Sequence, residues 1–145
     1  MLVRKIENGS VIDHITGGKG LQVARILDLN NEDKAVVLIN VDSKKLGNKD
    51  IVKIENKFLD DNEVNKIALI SPNATLNIIR NRNIIEKKSV ALPDKIEKIV
   101  KCPNKNCITN TNEPIETKFF VEKKEPIWLR CFYCERLFSS QEILT

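Results

Sequence analysis

The 145-residue chain has no cysteine in its first 101 residues and no unbroken apolar run longer than five, Ala35 to Ile39. A helical membrane span needs about 20 apolar residues, so no segment reads as one. There is no apolar leader core either. Arg4, Lys5 and Glu7 stand where a secretory leader would be hydrophobic, which predicts a cytoplasmic protein. The chain has no basic block or tail. Of 24 basic and 20 acidic residues, 15 and 12 lie up to Pro93, and 9 and 8 lie beyond it. Nucleic-acid binders usually concentrate their positive charge, so composition gives that class no help. Gly17-Gly18-Lys19-Gly20 lacks the spacing and the final Gly-Lys-Ser/Thr of a phosphate loop, and reads as a flexible helix entry. Asp13 and His14 sit inside the apolar run VIDHI with no nucleophile to partner them. They are expected to be a hydrogen-bonded structural pair, not a catalytic dyad.

What is present is a folded chain in two segments of different character. Hydrophobic residues make up 41% and charged residues 30%, as in an ordinary globular protein. Up to Pro93, strand-like and helix-like stretches alternate. Leu2 to Ile6 and Val11 to Ile15 read as strands around the Asn8-Gly9 turn. Leu21 to Leu29 reads as a helix with Leu21, Ala24, Ile26 and Leu27 near one face. Ala35 to Val41 has the continuous apolar look of a buried strand, Leu46 to Asp50 reads as a polar turn, and Ile51 to Glu55 as a strand. Asp60, with Glu63 three residues on, signals a capping box ahead of a helix that Ser71-Pro72 ends. Thr75 to Ile79 and Ile84 to Lys87 are strands joined by the polar Arg80 to Asn83 turn. The order strand, helix, strand, strand, helix, strand is that of an α+β ferredoxin-like domain, an antiparallel sheet with two helices on one face. Residues 94–100 read as a linker between a domain over 1–93 and a small β-rich, zinc-ribbon-like domain over 101–145, with strands at Thr117 to Val121 and Ile127 to Arg130.

All four cysteines fall in the second domain: Cys102-x4-Cys107, then Cys131-x2-Cys134. Two close pairs separated by a longer loop suit one tetrahedral zinc ion, each pair forming a knuckle. Four thiolates close the shell, so such a site is structural. Reduced, unliganded thiols and an iron–sulfur cluster are the alternatives. Phe119, Phe120, Trp128, Phe132, Tyr133 and Phe138 look more like core than a platform for stacking bases. Lys44, Lys45, Lys49, Lys53, Lys87 and Lys88 are individually ordinary surface lysines. Lys53 and Lys87 would converge on phosphates if neighbouring strands carried them. A zinc-ribbon nucleic-acid binder is the alternative function at this level.

The stretches GSVIDHI (Gly9 to Ile15), GNKDIVKIENKFL (Gly47 to Leu59), ALPDKI (Ala91 to Ile96), CPNKNCI (Cys102 to Ile108) and CFYCE (Cys131 to Glu135) together resemble the regulatory chains of aspartate carbamoyltransferase. They cover nearly the whole chain in the family's order. The resemblance implies a non-catalytic subunit of pyrimidine biosynthesis. Its N-terminal domain would bind CTP, ATP and UTP as allosteric effectors, and its zinc domain would dock on the catalytic chain. Regulatory homodimers would bridge catalytic trimers in an assembly of six and six chains, with no nucleic acid or membrane as partner. Carried over residue by residue, Lys5, Ile6, Asp13, His14, Lys49, Lys53, Asn77, Ile79 and Lys87 match the effector site. Cys102, Cys107, Cys131 and Cys134 match the zinc ligands. Asn104, Asn106 and Glu135 match polar residues at the contact with the catalytic chain. The chain departs from the family pattern in its glycine-rich Thr16 to Gly20, and in Arg82, which stands where the family can carry an aromatic.

Overall fold

The structure, a computed structural model, describes residues 5–44 and 47–144. The chain divides into two compact units, over 1–91 and 92–145.

The first unit is built on strands β1 (Gly9–Thr16), β2 (Lys34–Ser43), β3 (Gly47–Glu55), β4 (Thr75–Arg80) and β5 (Asn83–Ser89), with helices α1 (Gly20–Ile26) and α2 (Asp61–Ile70). The strands form one antiparallel sheet in the order β2-β3-β1-β4-β5. This is the expected ferredoxin-like arrangement with β5 added beside β4. One face carries Ile12, Ile15, Val52, Ile54, Leu76 and Ile78, all buried. The core is completed by Val23 from α1, Leu27 at its C-terminal cap, and Val64, Ile67 and Ala68 from α2. Strand side chains alternate faces, so the residues between these, Val11 and Asp13, Ile51 and Lys53, Asn77 and Ile79, belong to the opposite, helix-free face. That alternation is what creates a site.

Local chemistry explains the helix ends. Asp60 accepts from the Glu63 N–H at 2.9 Å, and Glu63 accepts from the Asp60 N–H at 3.3 Å. The capping box read from sequence is therefore formed in full. At α1 a buried carboxylate takes the same role. Asp50 Oδ2 accepts from the N–H groups of Gly18 at 3.0 Å and Gly20 at 2.8 Å. A Cβ on Gly20 would sit 2.8 Å from the Asp50 Cβ. The glycine-rich stretch is thus folded tightly around an internal anion, and glycine at position 20 is what permits the approach.

Several sequence expectations are corrected. Ala35 to Val41 is not a buried strand: β2 is an edge strand, with Val36 at 40% and Ile39 at 54% exposure. An apolar run does not reveal whether its strand has one neighbour or two. Helix α1 is shorter than read, and it buries Val23, with Leu27 buried just past its end, while Leu21 is exposed. Of the strand expected at Leu2 to Ile6, Leu2, Val3 and Arg4 lie outside the described residues, and Lys5 and Ile6 precede β1 without joining it. Leu46 lies outside the described residues too, and the rest of the expected turn, from Gly47, is already strand β3.

The second unit holds a four-stranded antiparallel sheet, β6 (Lys95–Glu97), β7 (Lys118–Lys124), β8 (Ile127–Cys131) and β9 (Leu137–Ser139), closed by α3 (Ser140–Leu144). Ile96, Phe119, Leu129, Phe138 and Ile143 form its small core. The segment read as a linker contributes β6: Ile96 pairs with Phe119 and is 1% exposed. Its alternation of one apolar residue between charged neighbours is enough for an edge strand, but three residues are too few to announce one. The aromatics divide. Phe119 and Phe138 are core, whereas Phe120, Phe132 and Tyr133 are exposed by 38–49%, stacked edge to face with the Lys118 ammonium 4.7 Å from the Phe132 ring.

Candidate functional site

The helix-free face of the first sheet carries a row of residues in register: Val36 on β2, Lys53 on β3, Val11 on β1, Asn77 on β4 and Lys87 on β5. Over the middle of this row lies a cavity of about 300 Å³. Lys53, Val11 and Asn77 form its floor; Ile6, Ile79 and Ile84 make an apolar wall; Lys5, Arg82, Ile51 and Asp13 complete the lining. A second hollow of about 430 Å³ adjoins it through the shared Lys5, Ile6 and Lys53. The floor holds an orphan: Asn77 is 8% exposed, and its Oδ1 has no hydrogen-bond partner among the described residues. A buried amide oxygen without a donor costs about 1–3 kcal/mol. A ligand donor would remove that cost.

At one end of the cavity the charges are already arranged. Lys49 Nζ sits 2.8 Å from Asp13 Oδ1, and the same oxygen accepts from the His14 N–H at 2.6 Å. Burial alone would raise the Asp13 carboxyl. The Lys49 ammonium and the His14 N–H and charge outweigh it and hold the carboxyl below its ordinary value. His14 has φ +56° at an irregularity in β1 between Ile12 and Ile15. This bulge turns its ring to share a 3.0 Å hydrogen bond with Thr75 Oγ1. Asp13 and His14 are therefore a structural pair joined through the His14 backbone, and the imidazole is engaged elsewhere.

In the second unit the four cysteine Sγ atoms lie within 4.8 Å of one another. Cys102 and Cys134 are 3.7 Å apart, as are Cys107 and Cys131. A disulfide needs about 2.05 Å. Four sulfurs at about 2.3 Å from one tetrahedral ion would lie about 3.8 Å apart. The residues present fit a tetrahedral ion and not a pair of disulfides. The Thr109 hydroxyl donates to Cys107 Sγ at 3.2 Å. Asn110 braces the first knuckle by donating to the carbonyls of Cys102 and Asn104 at 2.9 and 2.7 Å. Burial pushes the Cys102 and Cys131 thiols up, the penalty a bound cation offsets.

Comparison with known proteins now decides between readings that share this geometry. The family model described as the aspartate carbamoyltransferase regulatory chain, allosteric domain, matches residues 1–91, and that described as its metal binding domain matches residues 94–144. Relatives carrying the name aspartate carbamoyltransferase regulatory chain include those of Methanothermobacter thermautotrophicus, Pyrococcus abyssi and Thermoplasma acidophilum. They are 52%, 54% and 47% identical over 142, 145 and 145 residues. These alignments cover 97%, 98% and 99% of this chain and 91%, 95% and 96% of the relatives. The chain belongs to the aspartate carbamoyltransferase regulatory chain family. Membership makes it a non-catalytic regulatory subunit with an allosteric and a metal-binding domain, and it sets aside the nucleic-acid reading.

Measured against that family, the open-face cavity lies in the allosteric domain and brings together Lys5, Ile6, Asp13, Lys53, Asn77 and Ile79 of the residues singled out from sequence. Lys49 reaches it only through Asp13. His14 and Lys87 do not line it. Lys53 and Lys87 are not on neighbouring strands, since β1 and β4 lie between β3 and β5. Three strand spacings put their backbones about 14 Å apart. The sequence reading missed Val11, Ile51 and Ile84 as lining, and noted Arg82 only as a departure. Periodicity from Lys53 and Asn77 would have found the first two, given the strand order. In the metal-binding domain, Asn104 and Asn106 belong to the first knuckle, where Asn104 Oδ1 accepts from the Asn106 N–H at 3.1 Å. Glu135, with φ +61°, turns the second. Its carbonyl accepts from Arg130, whose guanidinium also pairs with Glu122 at 2.7 Å. Arg130 is thus occupied by a carboxylate and a carbonyl.

Proposed function

We propose that the open-face cavity is the effector site for nucleoside triphosphates, CTP, ATP and UTP, and that the metal of the second unit is a structural zinc ion. The observation that carries the first part is the cavity floor: an orphaned amide acceptor at Asn77 and the Lys53 side chain on either side of Val11, under an apolar wall. The wall of Ile6, Ile79 and Ile84 takes a base, with the backbone at Lys5 and Ile6 meeting its edge. Asn77 accepts a ligand hydroxyl or amino proton. Asp13, already ionised, accepts from the ribose. Lys53, with His14, Lys49 and Lys87 beyond the cavity rim, faces the phosphates. A compact ammonium suits this task.

An effector alters catalysis only by binding one state of the assembly better than another. Typical coupling is about 1–3 kcal/mol. The zinc knuckles present Asn104, Asn106 and Glu135 to the catalytic chain, and regulatory dimers bridge catalytic trimers in a cytoplasmic assembly of six and six chains that controls pyrimidine biosynthesis. Four thiolates leave a tetrahedral zinc no open position, so the ion fixes the docking surface and does no chemistry.

Calorimetric titration of CTP and ATP into the zinc-loaded chain, alone and mixed with its catalytic partner, tests this. Binding should weaken by about 10–100-fold in Lys53→Ala, the worth of one charged hydrogen bond, with assembly on a sizing column unchanged. Unaltered effector affinity in that variant would remove Lys53 from the site.

A further inference from the structure

Strands β4 and β5 are joined by two residues, Asn81 and Arg82, flanked by the pair Arg80–Asn83. Their φ angles are +52° and +68°. Two consecutive positive values in a two-residue hairpin describe a type I′ turn, whose second position strongly favours glycine. A bulky residue there is an outlier, and such strain persists where the surroundings impose it, often at ligand sites. Here the surroundings do impose it. The Arg82 N–H donates to the Glu7 carbonyl at 2.8 Å, and the Asn81 N–H donates to Asn8 Oδ1 at 3.1 Å.

The side chain so placed lines the open-face cavity together with Ile6, Ile79 and Ile84. Arg82 makes no ion pair among the described residues. A guanidinium offers five donors and no acceptor. Beside the apolar wall of Ile6, Ile79 and Ile84, it favours a ring edge that presents an acceptor. Resting on the effector reading above, we infer that Arg82 is a specificity-determining residue of this cavity, selecting bases that turn a ring carbonyl toward it: guanine over adenine, and uracil over cytosine. Guanine and adenine differ at position 6, and uracil and cytosine at position 4, by a carbonyl acceptor against an amino donor. An amino group facing the guanidinium leaves donors opposed and unpaired.

The test titrates GTP, ATP, UTP, CTP and AMP into the full-length zinc-loaded chain, its Arg82→Gly variant and its Arg82→Lys variant. The glycine variant relieves the turn, so its thermal midpoint should rise by ~2–4 °C. A folding failure is therefore not expected to confuse the result. In that variant the GTP/ATP and UTP/CTP affinity ratios should each fall about tenfold, with Arg82→Lys intermediate and the ATP/AMP ratio unchanged. Base ratios that stay where they were would overturn the inference. So would a fall in the ATP/AMP ratio, which would make Arg82 a phosphate ligand. Absence of any triphosphate binding to the wild-type chain would instead remove the effector reading itself, and this inference with it.

Discussion

Asp13 shows how one residue ties stability to the site. Its carboxyl is held below the ordinary value against the effect of its own burial, chiefly by Lys49. A carboxylate with a depressed folded pKa adds stability that is fully present above its unfolded pKa of about 3.9 and is lost as pH falls through the folded value. The Asp13 contribution should therefore be intact at neutral pH and disappear below about pH 4. Replacing Lys49 by methionine leaves burial to dominate, so the carboxyl should move up in a carbon-detected titration. An Asp13 value that stayed low in Lys49→Met would mean that the His14 N–H alone supports the charge. Neighbouring Asp50 is the residue-scale surprise. Nothing in its sequence context marks it, because its three donors, on Gly18, Gly20 and Asn40, come from two other parts of the chain.

At the scale of elements, Asp50 joins β3 to the entry of α1 and to the irregularity of β2 at Asn40, where φ is +61°. Asp50→Ala strands the buried Gly20 N–H and loosens two more. The loss should be about 3 kcal/mol in urea unfolding, at 1–3 kcal/mol for each buried donor left unmade. Asp50→Asn keeps one acceptor oxygen and should lose less. Equal losses in both variants would mean that the shape of the side chain matters and its hydrogen bonds do not. The contrast between α1 and α2 also shows what a sequence discloses. The Asp60–Glu63 box is local, three residues apart, and was legible. The α1 cap lies 30 residues away in β3 and was not. Strand positions in the first unit were legible from turn residues and apolar runs. Strand order was legible only through the ferredoxin-like pattern, and edge exposure of β2 was not. The cavity follows the same logic. Lys53 and Asn77 were named individually through the resemblance, but the pairing of Val11 with both of them is what makes a floor, and pairing over such separations is a property of the fold.

On the scale of the whole molecule, the two units differ in what stabilises them. The first has a layered core of sheet and helices. The second has a short sheet over a handful of buried side chains, and a core that small supplies only a few kcal/mol. Metal binding to a four-thiolate site is worth about 10–16 kcal/mol in apparent terms, which exceeds that margin. The two units should therefore respond separately to a chelator. Amide exchange in β7 and β8 should become rapid as the metal is stripped, while β1, β3 and β4 keep their protection. The knuckles that carry Asn104, Asn106 and Glu135 would lose their shape together with the sheet, so a chelated chain should elute apart from its catalytic partner on a sizing column. Cys107→Ser should reproduce both effects without chelator. Cys107 is 2% exposed, and its loss opens the shell as well as the core. Protection of β7 and β8 that survived metal removal would mean that Phe119, Leu129 and Phe138 hold the second unit unaided. If docking alone failed in that case, the ion would be acting on the knuckles and not on the fold.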